Sequence, residues 1–421
     1  MLLVYRIIIY FIIILSPIII LIRLIKNKEH PIRFKEKFCL TSKKRGNGNL
    51  VWFHGSSVGE ILSVIPLIRE LEKNNSVQKI LITSSTLSSS SIFEKIKLKK
   101  TIHQFFPIDS EYLTNKFLKF WKPSLAIFIE SEIWPNMYCN IKNKNIPLIL
   151  INARITKKTF KKWIIFKKFS KTIFNKIDIA YPQNFETKNY LKELKLSKIK
   201  QIGNLKFTES KNDTTKNLNK LFIKQIKNRK IWCASSTHAG EELICAKVHL
   251  KLKKKYKNLL TIIIPRHIHR VNEIKDKIEK LELKIITRSS KNKITKNTDI
   301  YIVDTYGETK KFYQISKTVF LGGSLINRGG QNPIEAASLG SNIIHGPNVD
   351  NFKEVYKLFH DKKISYIAKN FDKLTHLVNK LIKINKNNNN KYIKIKKIGR
   401  HILQNTIKEI NILLKNEIKK T

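Results

Sequence analysis

The stretch LVWFHGSSVGEILSVIPLIREL, residues 50–71, reads as an apolar strand, a turn through Gly55 and Gly59, and an amphipathic helix. Glycine permits such a turn with few steric limits. Val58, Ile61, Leu62, Ile65, Ile68 and Leu71 then recur at helical spacing, with a kink expected at Pro66. Glu60 falls in the first helical turn. A carboxylate there complements the positive end of the helix dipole, worth from a few tenths to about 1 kcal/mol, or it faces a cleft and does chemistry. The spacing leaves both readings open.

The same strand-then-helix pattern repeats along the chain. KILITSS, PSLAIFIE, IPLILIN and IDIAYPQ are near-continuous apolar runs, each followed by a polar or amphipathic segment. Such runs mark strands buried on both faces, and their alternation with helices predicts an α/β chain with a doubly wound parallel sheet. A polar, aperiodic stretch near residues 208–229 predicts a linker, after which the alternation restarts with KIWCASS, LLTIIIPR, LKIITRSS, DIYIVDT, TVFLGGS and SNIIHGP. Two Rossmann-like domains facing a cleft follow, which suits 421 residues. The expected boundaries are a membrane anchor at 1–26, a first domain at 27–209 and a second at 210–421, its last helix free to pack back on the first. KINKNNNNKYIKIKK, residues 383–397, reads as a surface loop before that helix.

Charge and composition narrow the partners. Against 31 Asp and Glu stand 82 Lys and Arg, a formal +51, which calls for an anionic partner or reflects a lysine-rich composition spread over solvated faces. The four cysteines, Cys39, Cys139, Cys233 and Cys245, show neither zinc-ligand spacing nor a disulfide framework. Residues 2–25, LLVYRIIIYFIIILSPIIILIRLI, match the roughly 20 apolar residues that cross a bilayer core. The basic residues after this segment outnumber Arg6 before it, which places the body of the protein in the cytoplasm. Pro17 and the two arginines leave an interfacial helix as the alternative.

Ligands of doubly wound sheets bind beyond the carboxyl ends of the strands. Those ends carry HGSSVGE (54–60), ESEIWPN (130–136), NARIT (152–156) and GNLKF (203–207) in the first half. In the second half they carry SSTHAGEE (235–242), PRHIHR (265–270), DTYGE (304–308) and GGQNPIEAASLG (329–340). Glu130 ends a strand, and Glu132, two residues on, points the same way if the chain stays extended. Lys206 is expected to end the last strand of the first half. Ser235, Ser236, Thr237 and Gly240 sit where a helix is expected to begin, a setting for phosphate or for ordinary capping. Asn332, Pro333 and Glu335 form a helix-start signature close to a capping box.

Taken together and in order, SSVGE, ESEIWPN, NARIT, GNLKF, STHAGEE, PRH, YGE and GGQNPIEAA resemble the 3-deoxy-D-manno-octulosonic acid (Kdo) transferases over nearly the whole chain. The resemblance implies a GT-B glycosyltransferase that moves Kdo from CMP-Kdo to the tetraacyl, bisphosphorylated lipid A precursor at the inner membrane. It implies Glu60 as general base, with Glu130, preferred over Glu132, supporting the site. Lys206 would stabilise developing negative charge. It places CMP against Pro265, Arg266, Tyr306, Gly307, Glu308 and the run Asn332, Pro333, Ile334 and Glu335. Gly55, Ala239 and Gln331 depart from that pattern, which expects a bulkier residue, a charged one and His. No Asp-x-Asp pair occurs, so transfer is expected without a metal or other cofactor. Anionic phospholipids are expected partners. The rivals are another membrane-associated GT-B transferase and a tethered nucleic-acid binder. The second lacks any aromatic-interleaved basic patch, so no nucleic acid is expected.

Overall fold

The computed structural model describes residues 1–41, 43–94, 96, 98–208, 218–384 and 389–418. The chain divides into two compact units, Met1–Ser210 with Ile398–Thr421, and Lys211–Lys397. The second unit thus stops short of the chain's end, and the final stretch belongs to the first.

The first unit is built on β1 (Leu50–His54), β2 (Lys79–Ser84), β3 (Thr101–Phe105), β4 (Leu125–Ile129), β5 (Leu148–Ala153) and β6 (Ile179–Pro182). All pair in parallel, in the order β3-β2-β1-β4-β5-β6. Trp52, Phe53, Leu81, Phe128 and Leu150 are buried in it, because helices cover both faces. Strand β3, TIHQF, is one that apolar runs do not predict. Its polar side chains are buried and partly bonded inside: His103 Nε2 lies 2.8 Å from Ser84 Oγ, and Trp121 Nε1 donates to Gln104 Oε1 at 3.1 Å, while Gln104 Nε2 has no partner among the described residues.

The second unit carries β7 (Lys230–Thr237), β8 (Leu259–Pro265), β9 (Ile285–Thr287), β10 (Ile300–Ile302), β11 (Thr318–Leu321), β12 (Asn342–His345) and β13 (Ser365–Ile367). The order is β13-β12-β11-β7-β8-β10-β9, again all parallel. Both units are Rossmann-like, as the alternation predicts.

Three local expectations fail. GNLKF does not close a strand: Leu205–Thr208 is a short 3-10 turn, and the segment before it makes only a single bridge, Ile199 to Ala180. Of the predicted linker, residues 209–217 lie outside the described residues, but Lys220–Ile226 is a helix, capped by Asn219 and burying Phe222 and Ile226. The low-complexity run is not simply a loop, since helix Asn389–Ile418 begins inside it, with residues 385–388 outside the described residues.

That last helix touches the site-bearing part of the first unit. A Cβ on Gly399 would stand 2.1 Å from the Phe207 carbonyl oxygen, so only glycine lets the helix approach the turn that holds Lys206. Farther along, Glu409 pairs with Lys200 and accepts from Tyr181.

Candidate active site

In a parallel sheet of this order, the chain adds strands outward to one side from β1 and to the other from β4, and the gap beyond the carboxyl ends of these two strands is where ligands bind. Glu60 follows β1, and Glu130 and Glu132 follow β4. Helix α1 is Leu2–Ile25, and α2 is Val58–Leu71, with Pro66 inside it. Ser57 caps α2 by accepting from the Glu60 amide at 3.3 Å, while Glu60 Oε2 accepts from the amides of Ser57 (3.2 Å) and Ser56 (2.7 Å). The dipole reading of Glu60 is therefore right as far as it goes. It does not exhaust the residue. Burial, then the negative charges of Glu132 and Glu130, outweigh the Ser57 bonds and push the Glu60 carboxyl up to about 7.

Gly55 makes room for this. A Cβ there would meet Glu60 Cβ and Ile129 Cδ1 at 3.1 Å each, so the glycine at this position lets the carboxylate fold back over the strand end.

The two carboxylates after β4 do not act as a pair. The chain leaves the extended conformation at Glu130, whose φ is 55°, and Glu132 donates its amide to the Ile129 carbonyl at 3.3 Å. Their side chains consequently take different partners. Glu130 Oε1 binds Lys206 Nζ at 2.6 Å and accepts from Asn152 Nδ2 at 3.3 Å. Asn152 in turn accepts from the Leu205 amide at 3.0 Å, fixing the turn that presents Lys206. Helix α2 packs against that turn.

Glu132 Oε2 accepts from Ser56 Oγ (2.6 Å) and Trp134 Nε1 (2.9 Å) and lies 3.1 Å from His54 Nε2. Burial raises its pKa, but the bonds to His54, Ser56 and Trp134 outweigh burial and hold it below the usual carboxylate range. His54 is buried, stacked on Phe106 at 3.8 Å and 2.9 Å from Thr83 Oγ1 through Nδ1. Ser56 therefore joins the two carboxylates, its amide on Glu60 and its hydroxyl on Glu132. Sequence reasoning missed His54 and Ser56. The signal was present in HGSSVGE, but a histidine ending an apolar strand is unremarkable until its partner from β4 is known.

In the second unit the corresponding gap lies between β7 and β11. SSTHAGEE behaves differently from expectation there. Ser235 and Thr237 belong to β7, Ser235 Oγ lies 2.8 Å from the Tyr313 hydroxyl, and the helix starts only at Glu241 after Gly240. The Glu241 carboxylate at the start of that helix is buried. Its oxygens accept from the amides of His238 (3.0 Å), Gly323 (2.7 Å), Ser324 (3.1 Å) and Leu325 (3.1 Å), stitching the ends of β7 and β11 together. Glu241→Gln turns an NH2 group toward two of these donors. The expected cost is about 2–5 kcal/mol, read as a lower urea midpoint with an unchanged m-value.

The remaining residues assigned to the nucleotide share the carboxyl edge of this second sheet. Pro265 ends β8, and Arg266 beyond it is exposed, its amide bonded to the Thr237 carbonyl at 3.0 Å. Tyr306 is 78% exposed, and Gly307 has φ 79°. Glu308 is engaged by Arg288 (3.0 and 3.1 Å), Lys311 (2.8 Å) and Thr305 (2.6 Å). Burial alone would raise its pKa, and these bonds instead bring it down to about 2. Asn332 accepts from the Ile334 amide at 3.1 Å, but Pro333 is the cap of the short helix Ile334–Ser338, one place later than the capping signature predicts. Glu335 lies 3.6 Å from Lys310. His238 adds a group that sequence reasoning missed. Its Nε2 is buried without a hydrogen-bond partner, and burial, then the positive charges of His267, Arg328 and Arg266, lower its pKa. Cationic groups therefore gather near this edge. Among the described residues no three His, Cys, Asp or Glu side chains group as a metal site would need.

Comparison with known proteins gives the arrangement a family. The putative UDP-N-acetylglucosamine 2-epimerase of Listeria monocytogenes superposes with a TM-score of 0.61 at 14% identity, covering 89% of this chain and 98% of that one. That likeness establishes the fold, the GT-B class with two Rossmann-like domains in one chain. The 3-deoxy-D-manno-octulosonic-acid transferase (kdotransferase) family matches residues 32–209. The 3-deoxy-D-manno-octulosonic acid transferase of Rickettsia bellii (strain RML369-C) is 33% identical over 365 residues, 87% of each chain. The chain belongs to the Kdo transferase family. The enzyme of that name from Haemophilus influenzae is 31% identical over 315 residues, 73% of each chain. Kdo transferases are glycosyltransferases, and a match of 365 residues extends into both halves of this chain.

Proposed function

We propose that this Kdo transferase moves Kdo from CMP-Kdo onto a hydroxyl of the lipid A precursor, lipid IVA, in one inverting displacement without a metal. The observation that carries the reading is the Glu60 carboxyl, brought to about 7 at the switch point of the first sheet. At that value it accepts a proton near neutral pH and still has driving force to do so. The acceptor oxygen attacks the anomeric carbon of Kdo, and its proton passes to Glu60. The bond to the cytidylate phosphate breaks, and CMP leaves with the electron pair. Lys206, steadied by Glu130, faces developing negative charge, and Arg266 with Arg328 supplies positive charge for the cytidylate.

The membrane setting is supported by α1, the described helix long and apolar enough to cross a bilayer by length and composition. Exposed Ile165 and Phe166 lie in sequence between Lys161, Lys162, Lys167 and Lys168, a mixture that suits anionic lipid head groups. In this reading the body of the protein stands on the cytoplasmic side of the inner membrane. The test is transfer by the purified full-length protein from radiolabelled CMP-Kdo to lipid IVA in excess EDTA, followed as a mass increase of the lipid. Label reaching the lipid supports the proposal. No transfer to lipid IVA alongside turnover of another sugar nucleotide overturns donor and acceptor, and activity that returns only with magnesium overturns the metal-free step.

A further inference from the structure

Helix α1 is about 36 Å long at 1.5 Å per residue, enough to cross a hydrocarbon core of about 30 Å. Its contacts, however, run along its whole length. Leu2, Tyr5, Ile9, Ser16, Ile20 and Arg23 are buried or half-buried, and their spacing puts them on one stripe from the first turn to the last. Polar bonds anchor both ends to the same unit. At the start, the Tyr5 hydroxyl donates to Asp109 at 2.8 Å, and Arg6 binds Asn136 at 3.1 Å and Glu111 at 2.9 Å. At the end, Arg23 pairs with the buried Glu29 at 3.0 Å, and Lys37 reaches the same carboxylate at 2.5 Å. The opposite face is bare: Leu3 and Ile14 are each 70% exposed and Ile25 is 73% exposed.

A spanning helix puts its two ends in opposite aqueous phases, with lipid around it. That would carry Asp109, Glu111 and Asn136 to one side of the bilayer and Glu29 and Lys37 to the other, although all belong to one unit built on one sheet. Polar surface and sheet would then sit in hydrocarbon, which is prohibitively costly. We propose that α1 lies in the plane of the membrane, strapped lengthwise to the first unit, with its bare face seated at the headgroup–acyl boundary of an anionic phospholipid leaflet. The choice of occupant follows from the chemistry of that face and of the segment after it. The face is apolar, and just past the helix Lys26, Lys28 and Lys35 are exposed together with Ile32 and Leu40, the mixture of apolar and cationic groups that suits the boundary of acyl chains and anionic head groups.

The strap also reaches the site. The Asp109 carboxylate that accepts from Tyr5 receives the amides of Asn136 (3.1 Å) and Met137 (2.8 Å), at the start of the helix that follows Glu132 and Trp134. The element resting on the leaflet is thereby bonded to the segment carrying part of the candidate active site, which holds that site at a set height above the lipid.

This rests on the membrane setting of the proposed function, and its test uses no substrate, so its failure leaves the transfer reaction untouched. Nitroxide labels are placed singly at Leu3→Cys, Ile14→Cys and Ile25→Cys in the full chain carrying Cys39→Ser, with the three buried cysteines retained. Spaced by eleven residues, about three turns, these positions share one face, and all three are exposed. On vesicles of phosphatidylglycerol and phosphatidylethanolamine, accessibility to oxygen and to a nickel chelate gives each label's depth. The expected result is one common, shallow depth, about 5–10 Å below the head groups. An Ile14→Cys label near the bilayer centre, with the other two near its surfaces, overturns the proposal in favour of a span. Three labels accessible to water overturn it as well, and three shielded only by spin–spin contact between copies assign the face to a dimer.

Discussion

Glu60→Gln is expected to lower turnover roughly 10²–10⁴-fold, the usual worth of a positioned general base, while leaving the fold nearly untouched. The substitution separates the helix cap that Glu60 makes from the proposed role as base. An amide oxygen still accepts from Ser56 and Ser57, so the helix cap survives, and any stability change stays within about 1 kcal/mol. The amide cannot take a proton from the acceptor hydroxyl. If Glu60 only capped α2, the variant would turn over at nearly the parent's rate, and single-turnover kinetics with a melting curve decide between the outcomes. The pH profile offers a second check. With the carboxyl at about 7, the base form fills as pH rises, so kcat climbs by about tenfold per pH unit below that value and levels off above it. A group whose folded pKa is raised stabilises the fold below its ordinary pKa, and this is lost as pH rises through about 7. Activity and stability thus move in opposite directions with pH near neutrality.

Lys206→Met should damage both stability and activity, and a second substitution tells the two apart. Glu130 and Lys206 side chains are 8% and 19% exposed, and removing the cation strands a carboxylate that has little water to turn to. Breaking a buried pair by removing one partner costs about 3–5 kcal/mol. Adding Glu130→Gln removes the stranded charge, and most of the lost melting temperature is expected to return. Turnover is expected to stay down by about 10²-fold, because the positive charge proposed to face the developing negative charge is still missing. Recovery of turnover together with stability would reduce Lys206 to a counter-ion for Glu130.

Much of this protein is legible in its sequence because the periodicities that bury apolar surface are local. Near-continuous apolar runs announce β1, β2, β4, β5 and β6 and most strands of the second unit, and the restart of the pattern announces two Rossmann-like domains. Strand β3 escapes for a physical reason: His103 and Gln104 are polar, and their burial relies on partners distant in sequence, Ser84 and Arg33 for His103 and Trp121 for Gln104. The extended path assumed from Glu130 to Glu132 fails for a similar reason. A left-handed φ at Glu130 is stabilised by partners in β5 and the 205–208 turn that no local pattern records.

Residue chemistry and order alone determined the fold class and the family motifs, together with the carboxylate after the first glycine turn, since each rests on neighbours along the chain. Tertiary structure alone decided what those residues face. It gave Glu132 to His54 and Ser56, and Glu130 to Lys206. It set Glu241 against the amides of His238 and of Gly323, Ser324 and Leu325, and laid the apolar N-terminal helix along its own domain. Each of these outcomes depends on groups far apart in sequence meeting in a buried place, where an unpaired charge or amide is costly and partner identity therefore settles the geometry.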